Sequence, residues 1–248
     1  MIKIRRDSEI YRKEGGWFSA RWHFSFDEYR DAENMGFGPL RVFNDDRLVA
    51  GADWPMHPHR DIEGITYVLE GTFEHADSMG NGGQLPPGSI QRATLGSGMY
   101  HSERNGSKTE PMRFLQFWIL PDTPNLPPEN VQRVYTREDR TNRLLKVLGP
   151  DGGDDKPWVK VHQNATVHIA SLSVGKQVSH DLGSGRGAYL YLISGQLSLD
   201  GDSLSTGDAA RISDQDAISL EATAESELIL VDVPLQWIPV GVWARYGS

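Results

Sequence analysis

His57-Pro58-His59 and His101-Ser102-Glu103 are two short polar pairs, each with its members two residues apart. Along a β-strand, side chains at i and i+2 leave the same face. Two such strands on one inner wall would bring three imidazoles and one carboxylate to a common point. A donor set of that kind, with positions left open, suits a divalent metal that meets a substrate or dioxygen. Neither pair is decisive alone, since a His-x-His also fits a surface loop. The conjunction carries the reading. The pairs lie about forty residues apart within one strand-rich stretch, Gly51 to Asn105, and turn glycines flank both.

Other chemistry is poorly represented. The chain has no cysteine, so no disulfide can form and any metal must be held by nitrogen and oxygen. The helical zinc-hydrolase pattern HExxH is missing, as are a phosphate loop and a dinucleotide fingerprint. Gly96-Ser97-Gly98 lacks the G-x-S-x-G context of a nucleophile elbow and reads as a tight turn that lets backbone approach His101. Asp61 and Glu63 follow the first pair. They would either accept hydrogen bonds from its imidazoles or belong to a solvated face or salt bridge. His23, His75, His162, His168 and His180 have no paired spacing and read as surface or hydrogen-bonded histidines.

The elements that must position the pairs are short strands. Ile65 to His75 is rich in β-branched and aromatic residues, with Gly71 as a bulge or bend. Asn81-Gly82-Gly83 reads as a hairpin turn, Pro86-Pro87-Gly88 as the next turn, and Ser89 to Leu95 as a strand. Arg113 to Leu120 is apolar on both faces, as a buried strand is. Leu40 to Phe43 is strand-like, and Asn44-Asp45-Asp46 after it reads as a turn. Many short strands separated by Gly/Pro turns predict an all-β sandwich or barrel rather than βαβ units. Residues 121–157 concentrate proline, glycine and charge and read as the inter-domain segment, with one short strand or helical turn in it. Strand-like sequence then resumes from Trp158, with Asp200-Gly201 as a hairpin signal. The aromatic tail from Leu235, including Trp237, packs back on the body. The aromatic runs around Trp118 and Trp237 read as core or interface.

A weak repeat links Tyr67-Val68-Leu69-Glu70-Gly71 to Tyr191-Leu192-Ile193-Ser194-Gly195, and Pro87-Gly88-Ser89-Ile90 to Thr206-Gly207-Asp208-Ala209. A period this long means duplicated domains. Aligning the copies puts Asp181 and Gly183 at His57 and His59, and Leu220 and Ala222 at His101 and Glu103. The second copy therefore lacks the ligand set, and one metal per chain is expected, in the N-terminal half.

The formal net charge of −9 and pI near 5.3 disfavour direct nucleic-acid binding. The N-terminal residues show no apolar signal core and no run reaches a membrane span, so a cytoplasmic protein is expected. A monomer is also expected.

The stretch Gly51 to Asn105 resembles the paired motifs of the cupin superfamily, and specifically the pirin family. His57-Pro58-His59-Arg60-Asp61, Thr66 to Gly71, and Gly98 through His101-Ser102-Glu103 carry the likeness, with Phe37 to Val42 and Asn44-Asp45-Asp46 as a further pirin element. The likeness covers essentially the whole chain and is strongest to the bacterial pirin-like proteins described as quercetin 2,3-dioxygenases. It implies an all-β bicupin of two jelly-roll β-barrels packed together. The N-terminal metal-binding domain would span 1–135, and a domain without ligands, with the C-terminal tail, would span 145–248. It implies metal ligands His57, His59, His101 and Glu103; as the catalytic residue, Glu103 would either stay a ligand or partly detach to accept the substrate hydroxyl proton as general base. The expected cofactor is one divalent cation, Fe(II) first; Ni, Mn, Cu, Co or Zn suit the same donors. The sequence departs from the general cupin pattern: Gly88 to Gly96 is longer, and Gly96 stands where proline is usual. Glu63 falls near the general cupin glutamate, whereas the pirin pattern gives that role to Glu103.

The function this implies is opening of a flavonol heterocycle with O₂ and release of carbon monoxide. The alternative is a metal-dependent, redox-sensitive protein that binds a transcription regulator or another protein partner. A third reading, an enzyme on another small aromatic or carbonyl compound, follows from the breadth of chemistry on this fold.

Overall fold

The computed structural model describes residues 1–247. Among them the regular structure is all strand, apart from short 3₁₀ turns at Asp7–Glu9, Ala32–Asn34, Glu138–Arg140 and Gly241–Gly247. None of the helical segments is long and apolar enough to cross a membrane.

Contacts divide the chain into two compact units. The first comprises Tyr11–Tyr135 and the chain from Ile238 onward; the second comprises Met1–Ile10 and Thr136–Trp237. Both termini thus fall outside the domains that sequence order assigns them. Ile2–Arg5 pairs as an edge strand with Ala209–Ser213, Ile2 opposite Ile212. In the tail, the Val242 N–H donates to Asp61 Oδ2 at 3.2 Å, and Trp243 lies under the Arg41 guanidinium. Strand edges and unsatisfied carboxylates recruit whatever segment satisfies them, irrespective of chain order.

The first unit pairs a seven-stranded sheet with a four-stranded one. The large sheet runs Glu129–Val134, Ser89–Thr94, Glu63–Glu70, Met112–Ile119, Leu40–Leu48, Phe18–Trp22, Tyr11–Glu14. The small sheet runs Asp53–His59, Met99–Asn105, Phe73–Asp77, Gly82–Leu85. The second unit repeats this plan. Its large sheet runs Ile2–Arg5, Ala209–Ser213, Arg186–Ser194, Ser226–Pro234, Thr166–Leu172, Leu145–Gly149, Val159–Lys160. Its small sheet runs Gln177–Asp181, Ala217–Ala222, Gln196–Leu199, Asp202–Ser205. The weak sequence repeat is therefore a full duplication of topology, a bicupin of two jelly rolls.

Met112–Ile119 lies between two neighbours in its sheet and is buried along most of its length, in keeping with a sequence apolar on both faces. At Asp200-Gly201 both residues have positive φ, 47° and 98°, and close a two-residue hairpin with Leu199 opposite Asp202. Other turns depart from the sequence reading. The hairpin after Phe73–Asp77 turns through residues 78–81, and Gly82 already pairs with Ala76. Residues 121–157 hold two strands, Glu129–Val134 and Leu145–Gly149, each in the large sheet of a different unit. Most consequentially, Asn44-Asp45-Asp46 is no turn. It lies inside strand Leu40–Leu48, with all three side chains buried. Strand pairing on both sides overrides the local turn preference of Asn and Asp.

Candidate metal centre

The two polar pairs occupy adjacent antiparallel strands of the small sheet. His57 stands directly opposite His101, and Met99 opposite His59. The register then shifts, so that Glu103 faces Trp54. The extra residue lies in strand Asp53–His59, where Pro55 has no N–H to give to a ladder. This strand is the sheet edge, the position that tolerates Pro55 and Pro58.

The outcome is three imidazoles with one ring nitrogen each within 4.8 Å of the others: His57, His59 and His101. Their ring centroids are 4.5 to 5.3 Å apart. His57 Nδ1 lies 2.9 Å from the Pro55 carbonyl. It therefore carries the proton, which leaves Nε2 as a lone pair. His101 Nε2 is buried with no hydrogen-bond partner. Burial, reinforced by the neighbouring imidazoles, pushes His59 down to about 3 and His101 down to about 4. Both are neutral near pH 7, the state in which imidazole ligates a metal.

Glu103 lies on the same strand, nearly fully buried, with Oε1 accepting a hydrogen bond from Gln116 Nε2. It stands outside the three-imidazole group. Burial raises its carboxyl above the ordinary range, opposed by the Gln116 bond and then by His57 and His75. His75 lies opposite Glu103 on the other neighbouring strand, its Nε2 3.2 Å from Gln132 Oε1. Asp46 is also driven well above its usual value, chiefly by burial and then by Asp45 and Glu103. Two buried carboxyls beside the three imidazoles make a nitrogen and oxygen donor set that suits a divalent cation.

His57 and His59 open on a cavity of about 500 Å³, within the range of small-molecule sites. Phe18, Trp22, Phe26, Trp54 and Trp118 form its walls. Trp22, Phe26, Trp118 and His59 follow one another edge-to-face or tilted, at centroid distances of 5.3, 5.5 and 4.7 Å. Asn44, Asp46, Glu103 and Gln116 supply its polar side. Such a space fits a flat aromatic molecule that presents oxygen to the imidazoles.

Sequence reasoning missed Asn44, Asp46, Gln116 and the aromatic walls; Trp118 had read as core or interface. The available signal was spacing. Val42, Asn44, Asp46 and Leu48 alternate with the rest of their strand, so Asn44 and Asp46 form a third i, i+2 polar pair. Asp45 leaves the other face and is held by Arg113 through Nε and Nη2 at 2.8 and 2.7 Å.

The remaining acidic candidates are structural. Asp61, at φ 51°, accepts the Asn125 N–H at 2.7 Å in addition to that of Val242. Glu63 lies 3.7 Å from the buried Arg92 guanidinium. Gly96 serves a close approach, but not to His101. A Cβ there would meet the Leu126 carbonyl at 1.8 Å, and Ser97 N–H donates to that carbonyl at 2.9 Å.

Comparison with known proteins agrees with this geometry. Residues 4–119 match the Pirin family model and residues 146–233 match the model of the quercetinase C-terminal cupin domain. The chain is 40% identical over 235 residues to the quercetin 2,3-dioxygenase of Escherichia coli K12, covering 94% of this chain and 99% of that protein. It is 36% identical to a pirin-like protein of Caulobacter vibrioides, over 94% of this chain and 99% of that one. Among solved structures, the bacterial pirin YhhW of Escherichia coli in complex with nickel(II) superposes with a TM-score of 0.89 at 38% identity. That match covers 97% of this chain and 100% of the other.

Proposed function

Because this chain belongs to the pirin family of cupins, we propose that it is a metal-dependent dioxygenase that opens the heterocycle of flavonols such as quercetin. The observation that carries the reading is a three-imidazole group of which His57 and His59 line an aromatic-walled cavity. In the proposed reaction a flavonol and O₂ give a depside and carbon monoxide. Both oxygen atoms of O₂ stay in the depside, and the carbon that bore the 3-hydroxyl leaves as carbon monoxide.

His57, His59 and His101 hold one divalent cation, and Glu103 completes the set. Fe(II) is the metal we assign first; Ni(II), which a pirin relative binds, suits the same nitrogen and oxygen donors. Such an ion supplies Lewis acidity to the substrate oxygen and, if redox-active, electron exchange with O₂. The chain's own residues do the rest. The Pro55 carbonyl keeps the His57 proton on Nδ1. Trp118 and Phe26 offer faces and edges to the flavonol rings and exclude water. Glu103 takes the proton of the flavonol 3-hydroxyl, a role suited to a carboxylate whose basicity burial has raised. Gln116 orients that carboxylate by donating to Oε1.

The test is oxygen uptake and carbon monoxide release with quercetin, after loading metal-free protein in turn with Fe, Ni, Mn, Co, Cu and Zn. Turnover with at least one metal is expected. Stoichiometric metal binding with no turnover for any of them would overturn the dioxygenase reading in favour of a metal-dependent binding protein for another protein.

A further inference from the structure

Asn44 is buried, lines the cavity, and has an Oδ1 without any hydrogen-bond partner. Leaving a buried acceptor unsatisfied destabilises a fold, and such atoms are rare unless something else occupies them. The neighbouring polar groups are not available to it in the same way. Gln116, directly across the strand pair, gives its amide to Glu103, and Asp45 on the opposite face is taken by Arg113. Asp46, two residues on, turns a second polar side chain into the same cavity. The metal-ligand set accounts for neither Asn44 nor Asp46.

We infer that Asn44 is a specificity-determining residue whose Oδ1 accepts a hydrogen bond from a hydroxyl of a planar polyhydroxylated aromatic substrate, a hydroxyl other than the one presented to the imidazoles. The inference rests on the flavonol reading and narrows it. An acceptor that must be satisfied selects an O–H and rejects an ether or a ketone at that position. Asn44 thus separates hydroxylated rings from methylated ones, a distinction the aromatic walls cannot make. A site built to hydrogen-bond a hydroxyl discriminates far more strongly than one that only accommodates shape.

The experiment measures binding of quercetin and its singly O-methylated derivatives, each with the 3-hydroxyl free. Quenching of tryptophan fluorescence reports binding, since Trp22, Trp54 and Trp118 line the cavity. Wild type, Asn44→Leu and Asn44→Ser are compared, metal-free and metal-loaded. Wild type should bind one of the ethers about ten- to hundredfold more weakly than quercetin. Asn44→Leu should bind quercetin and that ether equally, with unchanged metal content. It should also unfold at a higher temperature, because an unsatisfied buried group has been removed. Asn44→Ser keeps an acceptor oxygen and should retain part of the discrimination, so the test does not depend on the leucine variant folding. Equal discrimination in wild type and Asn44→Leu, or equal affinity of wild type for quercetin and every ether, would overturn the inference and leave the flavonol reading standing. Failure of wild type to bind any flavonol would remove both.

Discussion

The two cupin copies share strand order yet treat the inside of the barrel in opposite ways. In the N-terminal copy, Met99–Asn105 carries His101 into the three-imidazole group and Glu103 to the cavity lining. The corresponding strand, Ala217–Ala222, carries Ile218, Leu220 and Ala222, all buried in an aliphatic cluster with Leu190, Leu197 and Leu230. By the repeat offset Asn44 corresponds to His168 and Val42 to Thr166, and the pairings of Val42 with Trp118 and of Thr166 with Asp232 then match Trp118 to Asp232. In the second copy Asp232 is saturated, accepting from Arg186 Nε at 2.7 Å and from His180 Nε2 at 2.8 Å. The first copy leaves Asn44 Oδ1 and His101 Nε2 without partners. One barrel fills with leucine around a saturated Asp232, although His168 Nδ1 stays unpartnered there too; the other keeps polar groups around a space. A packed core and a binding site are alternative uses of the same interior, because a polar atom satisfied internally cannot bind a ligand.

The largest effect should come from asking each copy for its metal. His101→Ala should lower metal content below about a tenth of an equivalent, since no other imidazole reaches that point from the same strand face. His180→Ala should leave one equivalent per chain. Among the described residues the three-imidazole group is the cluster that can hold an ion, and His180 lies outside it. Elemental analysis of both variants decides this. Two equivalents in wild type, one of them lost in His180→Ala, would end the contrast between the copies.

Next in size is the choice of carboxylate. Glu103→Gln should cost about a hundredfold or more in flavonol turnover at saturating metal. Glu63→Gln should keep metal content and lose stability instead, about 1 kcal/mol, because Arg92 loses the buried carboxylate at 3.7 Å but keeps Glu129 at 2.6 Å. Oxygen uptake, metal content and thermal unfolding are measured in parallel. Full turnover in Glu103→Gln beside inactivity in Glu63→Gln would move the protein from the pirin pattern to the general cupin one.

The smallest effect concerns acid. Burial, with His180 beside it, pushes His168 down to about 4. It stays neutral in the folded protein while the unfolded chain takes up a proton near pH 6.5. Folding stability is therefore fully present above pH 6.5 and falls as pH drops toward 4. His168→Leu removes this loss, so between pH 7 and pH 5 its stability should decline less than wild type's by about 1–2 kcal/mol. Urea unfolding of metal-free protein at the two pH values reads the difference. Parallel declines would show that His168 is not held neutral.

The sequence by itself determined the strand-rich class, the duplication and the two polar pairs. Each rests on periodicity or spacing, which survive in one dimension. It also placed Leu220 and Ala222, which cannot ligate, at the positions that match His101 and Glu103. Tertiary structure alone decided where the remaining polar residues went. Asn44-Asp45-Asp46 has the local chemistry of a turn, and only pairing with strands on both sides made it strand and aimed alternate members to opposite faces. Glu63 and Glu103 each follow a histidine of the candidate set closely in sequence. The register puts Glu63 beside Arg92 and Glu103 between Gln116 and the imidazoles. The cavity was not legible either. Its walls come from Phe18, Trp22, Phe26, Trp54 and Trp118, separated by up to a hundred residues. Whether an aromatic residue fills a core or borders a space depends on what its neighbours across the sheets leave empty, and that is a property of packing rather than of composition.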